Sequence, residues 1–541
     1  MAQKVLLIVI DQFRADCIST SLEQGSVNSD ANDHGDQLAR FATLPNLQAL
    51  MRDSMSFNQH YTVTTPCGPS RASLLTGLYA MNHRSVRNRT PLAAHHQTLA
   101  TYMRELGYDP MLFGYTDASV DPRERHPNDP DVRDYEGLAP GFSEMLRMRM
   151  ESAGPWVGYL KRKGYDLPES FWDLYKPILD ASTASGQHPE GSPIRSPARY
   201  AAADSDTAFL TDRTLEALSA FAESDWFSLV TYIKPHPPIV APAPYNSHFE
   251  PASIPDPHRS LSISELRTTH PFFDAYFSEP SNTGLYIGFD GDHMQLSDDH
   301  VAELRAVYLG LALEVDHHIG RLLDHLRDSG QYDDTLIIVT ADHGEMLGDQ
   351  YQWGKSCPLD PAVHIPLIIR DPNRPQGHGN TVELFTESVD ITPTIVEWCG
   401  GQPSPSLNGV SLIPLLEGQA PKSWRTHVFS EAELGEPDKP TTFQRSLGLV
   451  AEQANYAVLR TARYKYVHFN GDVPPLLFDI EADPHEHHNL AKDSALADVL
   501  LQMSTTMLNH RMTHAEHSLS HMKLTKGGLY PPLQSRNGSG Q

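Results

Sequence analysis

"VLLIVI", residues 5–10, decides the fold. It is six apolar residues long, rich in Val and Ile, and Asp11 ends it. An unbroken β-branched run of this length predicts a strand buried on both faces, as in parallel sheets covered by helices. Four more runs have the same character: "PMLFGY" (110–115), "WFSLVTYI" (226–233), "TLIIVT" (335–340) and "PLIIRD" (366–371). Helical patterns alternate with them. The longest, 300–330, is apolar at helical spacing and stops at Gly330. Strands alternating with helices predict an α/β fold, a large mostly parallel sheet with helices on both faces.

After about Gly418 the pattern changes. "THVFSEA", "YAVLRTARYKYVHF" and "LLFDI" alternate like strands of a small antiparallel sheet, and a helix follows over 494–512. This predicts a larger α/β domain over 1–418, the one expected to carry the site. A smaller C-terminal α+β subdomain over 419–541 follows, with a tail expected to help build a homo-oligomer, a dimer or tetramer. The stretches 28–35 and 182–200 read as loops, the second as a lid or insert.

The chain has 541 residues and a net charge of −26. An acidic surface repels phosphate backbones, so nucleic acid is not an expected partner. The four cysteines, Cys17, Cys67, Cys357 and Cys399, match neither a zinc motif nor a disulfide framework. The apolar start is too short for a signal peptide or a membrane span. The expectation is a soluble, reduced, cytoplasmic protein without a membrane partner.

In open α/β sheets ligands bind beyond the carboxyl ends of the strands. Asp11 follows the first run, Tyr115, Thr116 and Asp117 the second, and His236 in "KPHPP" the third. Asp342 and His343 follow the fourth, in "ADHGE". Asp11, Asp342 and His343 together suit a divalent metal, carboxylate oxygens favouring hard cations and imidazole shifting the preference toward Mn²⁺. Taken singly, each such Asp could equally be a helix cap. His485, His487 and His488 in "DPHEHHNL" mimic metal spacing, but in a chain with 28 histidines they read as structural or surface residues.

"TTPCGPSRASLLTG" (64–77) places Cys67 at the start of a helix, with Pro69 as its first helical residue and the helix running through "SRASLLTGLYAMN". A helix N-terminus attracts anions, and Arg71 one turn on offers a planar fork to an oxyanion. A cysteine-phosphatase loop would need Arg six positions after Cys, and Ser73 stands there.

The stretch resembles the sulfatase signature, Cys-x-Pro-Ser-Arg followed by Leu-Thr-Gly. "VIDQFRAD", "ADHGEMLGD" with "WGK", "SVDITPTIVEW" and "LLFDIEADPHEHHNLA" resemble further family segments along nearly the whole chain. "CGPSRASLLTGLYAMNHR", "PHPP" and "MTHAEHSLSH" resemble the branch of phosphonate monoester hydrolases and related arylsulfatases, within the alkaline phosphatase superfamily. The resemblance implies that a formylglycine-generating enzyme oxidises Cys67 to formylglycine, whose hydrate is the nucleophile. It implies that Asp11, Asp342, His343 and the modified Cys67 hold one divalent metal, Mn²⁺ ahead of Ca²⁺. Gln12 stands where many sulfatases have a further ligating Asp. Arg71 steadies the formylglycine; Lys355 and His236 bind the ester and assist the leaving oxygen; Asn88 and Tyr115 line the pocket.

Two positions depart from the pattern. Most sulfatases carry Lys-x-His where this chain has Tyr115-Thr116-Asp117. Tyr115 fits the phosphonate-hydrolase branch, and Asp117 leaves open whether it or His236 removes the diol proton. A metal, Arg71, Lys355 and a protonated His236, set against Asp11, Asp342 and Asp117, suit a small monoanionic ester. The intact signature puts sulfate esters first, an arylsulfatase with phosphonate monoesters and phosphate diesters as accompanying substrates. The reverse order is the alternative. A phosphatase with Ser or Thr as nucleophile would lack the signature, and an inactive binding protein would be expected to lose a site residue.

Overall fold

The computed structural model describes residues 3–18, 38–178, 193–280, 284–285, 292–516, 519–520 and 522–530. The stretch 28–35, expected to be a loop, and most of the expected lid at 182–200 lie outside the described residues. Pro193–Arg195 forms a 3₁₀ turn.

The main sheet has eight strands. Their spatial order is Ser143–Arg147, Pro110–Gly114, Trp226–Tyr232, Lys4–Ile10, Thr335–Ala341, Leu367–Arg370, Met55–Phe57 and Thr381–Val382. The first five are mutually parallel. Side chains of Lys4–Ile10 alternate between two cores: Leu6, Ile8 and Ile10 face one, Val5, Leu7 and Val9 the other. Both faces are therefore dry, which is why the strand shows no polar alternation. The first face packs on the 31-residue helix Asp298–Asp328, opened by Ser297 accepting from the His300 amide.

The run at 366–371 carries the same buried signature yet pairs antiparallel with Thr335–Ala341. Burial on both faces sets the apolar run, not its direction, so this strand departs from the parallel expectation.

A second sheet of four antiparallel strands, His427–Glu433, Asn455–Thr461, Tyr464–Phe469 and Leu476–Asp479, follows in the C-terminal part. The helix Ala497–Thr513 buries Met503 and Met507 against this sheet, in a core shared with Phe429, Leu459 and Leu477. Its Leu501, Leu508 and Met512 remain exposed. Another core joins Phe272, Cys357 and Leu359 to Val428, Val458 and Phe478, so the C-terminal sheet packs directly on the part that carries the main sheet. Among the described residues no helix is long and apolar enough to cross a membrane.

Candidate active site

Four neighbouring parallel strands, 110–114, 226–232, 4–10 and 335–341, end at the same edge. In the parallel register Ile10 lies opposite both Tyr232 and Ala341. The residues one step beyond, Asp11 and Asp342, therefore emerge side by side although 331 positions apart in sequence. Gly114 makes the neighbouring turn: its φ is +113°, and a Cβ there would lie 2.1 Å from Thr231 Oγ1. Thr231 Oγ1 accepts instead from the Tyr115 amide at 2.8 Å, directing Tyr115 toward Asp11.

Cys67 opens the helix Cys67–Thr76, every residue of which is buried. Pro69 is thus the third helical residue and not the first. The helix stops at Gly77, in the left-handed region at φ +68°, so it does not continue through Ala80; a separate short helix spans Ala80–His83. The first turn delivers Cys67 and Arg71 to the strand edge.

Cys67 Sγ, one oxygen each of Asp11 and Asp342, and a ring nitrogen of His343 lie within 4.8 Å of one another, all buried. His343 Nε2 is 3.2 Å from Cys67 Sγ. Its Nδ1 lies 3.0 Å from the Gly344 carbonyl, which places the proton on Nδ1 and the Nε2 lone pair toward the cluster. Burial holds His343 down at about 4, so the ring is neutral, as a metal ligand must be. Burial and the Asp342 charge push Asp11 up to about 7. Burial also raises Asp342, but His343, Arg71 and the Gln12 amide outweigh it and hold it at about 2. Two buried carboxylates and a neutral imidazole facing one point fit a divalent cation. The soft sulfur is the mismatched donor in this hard set, and conversion of Cys67 to formylglycine would put oxygen in its place. Burial, then the Asp11 charge, pushes the unmodified Cys67 thiol well above its ordinary value, so as a thiol it is a poor nucleophile.

Arg71 ties the site together. Its Nε donates to Asp342 Oδ2 at 2.9 Å, and its Nη2 to Asp11 Oδ2 at 3.1 Å and Tyr115 Oη at 2.9 Å. The guanidinium lies 4.0 Å from the centre of the Tyr115 ring. Tyr115 in turn donates to Asp11 Oδ2.

Lys355 Nζ is 3.4 Å from Cys67 Sγ and donates to Gln12 Oε1 at 2.6 Å. Asn88 Oδ1 accepts the Gly68 amide at 2.9 Å. Asp117, at φ +51°, lies against Gly68, and its Oδ1 is buried without a hydrogen-bond partner among the described residues. Burial pushes Asp117 well above the usual carboxylate range against the pull of Arg71. His236 Nδ1 lies 2.6 Å from the Pro237 carbonyl. Burial and the Lys355 charge hold His236 well below its ordinary value, so it is neutral and not the cation assumed in the charge argument above.

Every site residue named from the sequence lies along this edge. His485 instead stacks on His258 with ring centres 3.5 Å apart, and Glu486 beside it pairs with Lys465. Two contributors had not been singled out. Ser70 Oγ donates to the Asp342 carbonyl, and Glu345 accepts from Gln12 Nε2. The acid two places after His343 in "ADHGE" was the available signal for Glu345.

The sulfatase family model matches residues 3–401, and a C-terminal model of N-sulphoglucosamine sulphohydrolase matches 348–513. The multifunctional alkaline phosphatase superfamily protein PehA of Trinickia caryophylli is 36% identical over 529 residues, covering 97% of this chain and 98% of its own. The phosphonate monoester hydrolase SpPMH from Silicibacter pomeroyi is 46% identical, with a TM-score of 0.89 over 97% of this chain and 98% of its own. The phosphonate monoester hydrolase of Agrobacterium radiobacter is 36% identical, with a TM-score of 0.88 over 97% and 99%. With a buried metal-type cluster built around the signature cysteine, this chain is a hydrolase belonging to the sulfatase family of the alkaline phosphatase superfamily.

Proposed function

We propose that this hydrolase cleaves small monoanionic esters, with phosphonate monoesters and phosphate diesters as its main substrates and aryl sulfates also turned over. This reverses the order expected from the signature alone. The relatives named as phosphonate monoester hydrolases and as multifunctional support the reversal. The observation that carries the monoanion reading is the engagement of Arg71. Its guanidinium is spent on Asp11 and Asp342, Tyr115 beside it donates its hydroxyl to Asp11, and His236 is neutral. Beside the metal, whose charge Asp11 and Asp342 offset, Lys355 is then the side-chain cation left to meet substrate, and so small a surplus of positive charge in a dry site favours one charge on the ligand.

In this reading Asp11, Asp342, His343 and formylglycine at position 67 would hold one divalent metal, Mn²⁺ ahead of Ca²⁺. When bound, it polarises the ester and lowers the pKa of the nucleophilic diol. Lys355 donates to the ester, and Asn88 orders the backbone behind the nucleophile through Gly68. Burial raises Asp117 well above the usual carboxylate range, which disfavours its charged form, whereas His236 is neutral with Nε2 opposite the Nδ1 that faces Pro237. That division assigns the diol proton to His236.

Residues 1–418 form the catalytic unit and 419–541 the smaller one. The exposed Leu501, Leu508 and Met512 on the C-terminal helix support assembly as a homo-oligomer, a dimer or tetramer, and a monomer by light scattering at micromolar concentration would reject this. Four free thiols suit the cytoplasm, where a formylglycine-generating enzyme would act on Cys67.

The test is kcat/KM for matched nitrophenyl esters: a phosphonate monoester, a phosphate diester, a sulfate and a phosphate monoester. The phosphonate monoester and diester should lead and the phosphate monoester trail. A preference for the phosphate monoester would overturn the charge argument.

A further inference from the structure

Gln12 lies between a carboxylate and an ammonium. Its Nε2 donates to Glu345 Oε2, and its Oε1 accepts from Lys355 Nζ at 2.6 Å. A carboxylate only accepts and an ammonium only donates, so a single orientation of the amide serves both. The Gln12 backbone is pinned as well. Its amide donates to Asp342 Oδ1 at 3.1 Å, its carbonyl accepts from Tyr308 Oη at 2.8 Å, and its φ is +61°. The other Glu345 oxygen, Oε1, accepts the Leu347 amide at 2.8 Å and the amide of Gly354, the residue before Lys355. Glu345 itself is 1% exposed, so bulk solvent does not reach these bonds.

We propose that Glu345 is a positioning residue: it sets the Gln12 amide and closes the 345–354 loop, and so aims Lys355 Nζ at the nucleophile position. The inference rests on the proposed hydrolase reading, in which Lys355 holds the ester. The polarity matters, not only the packing. An amide at 345 must spend its oxygen on the Leu347 and Gly354 N–H groups, which turns its NH₂ toward Gln12. Gln12 then rotates to accept, and presents its own NH₂ to the Lys355 ammonium. Two donors face each other and Lys355 moves off its aim. Exchanging the partners, with the carboxylate at 12 and the amide at 345, restores a donor-to-acceptor chain from 345 through 12 to Lys355.

The experiment is a cycle of full-length proteins: wild type, Glu345→Gln, Gln12→Glu and the double exchange. Two readouts are taken, kcat/KM on the phosphonate monoester and sulfate esters, and Tm of the metal-free protein. Each single exchange should lower kcat/KM by at least about tenfold, the scale of a hydrogen bond to a charged group. The double exchange should return to within about threefold of wild type, and its Tm should exceed that of either single variant. A merely structural role predicts lost Tm without this recovery of turnover. Glu345→Gln with wild-type kcat/KM, or losses that simply add in the double variant, would overturn the proposal. If Glu345→Gln is insoluble the double exchange must still be soluble, and an insoluble double variant counts against the proposal equally. A wild type that turns over none of the esters refutes the hydrolase reading alone, and the metal-free Tm cycle still decides whether Glu345 and Gln12 are paired by polarity.

Discussion

Arg71→Met should destabilise the metal-free protein far more than the metal-loaded one. Arg71 is the cation between two buried acids, at 2.9 Å from Asp342 and 3.1 Å from Asp11, with side chains 3%, 0% and 1% exposed. Methionine keeps most of the volume and removes the charge, and at this burial water cannot replace it. Breaking a buried ion-paired set by deleting one partner costs about 3–5 kcal/mol. With an unfolding entropy of about 2 cal/mol/K per residue, a unit of this length loses roughly 1 °C per kcal/mol, so Tm should drop by about 3–5 °C. A divalent cation between the same carboxylates supplies the missing charge, and the drop should shrink when metal is present. By linkage, Mn²⁺ must then raise the Tm of the variant by more than that of the wild type. The assay is calorimetry of both proteins at pH 8, with chelator and with saturating Mn²⁺. That pH lies above the wild-type Asp11 pKa, which burial and Asp342 push up to about 7; removing Arg71, which pulls it down, raises it further in the variant. An equal drop with and without metal would refute the claim that Arg71 and the metal compensate the same pair of charges.

Cys67 should carry formylglycine in active protein. The mass of its peptide, from protein made with the maturing enzyme present, checks this, and a quantitatively alkylatable thiol in fully active enzyme would sink the mechanism. Cys67→Ala should keep the fold and lose nearly all turnover. His83 should make stability fall with acid. Its Nδ1 accepts the Ser85 amide at 3.0 Å and its Nε2 lies 2.8 Å from Ser73 Oγ, and burial, with His96, holds it down at about 3. The folded value lies below the unfolded 6.5, so the contribution is complete above pH 6.5 and is lost as pH falls toward 3. The loss is about 1.4 kcal/mol per pH unit in that window, and His83→Gln should flatten the decline in urea titrations between pH 7 and 4. An unchanged slope in the variant would contradict the assignment.

The sequence by itself determined the buried strands, because a strand covered on both faces needs an unbroken apolar run wherever it lies. It determined the metal-type acids as well, because a strand such as 4–10 must end where water and ligand begin, and Asp11 marks that end. The end of the helix after Cys67 was legible only in part. Gly77 was visible, but whether the chain turned left-handed there or continued through Ala80 depended on backbone geometry that composition does not record. The direction of Leu367–Arg370 was decided by tertiary structure alone, since burial leaves the same mark on parallel and antiparallel strands. So was the meeting of Gln12, Glu345 and Lys355. Gln12 is over 300 positions from the other two, and only the register placing Ile10 opposite Ala341 brings it onto the Glu345 loop. Spacing along a chain encodes neighbours within one element; pairing between elements is set by which register buries both faces, and that is a property of the folded whole.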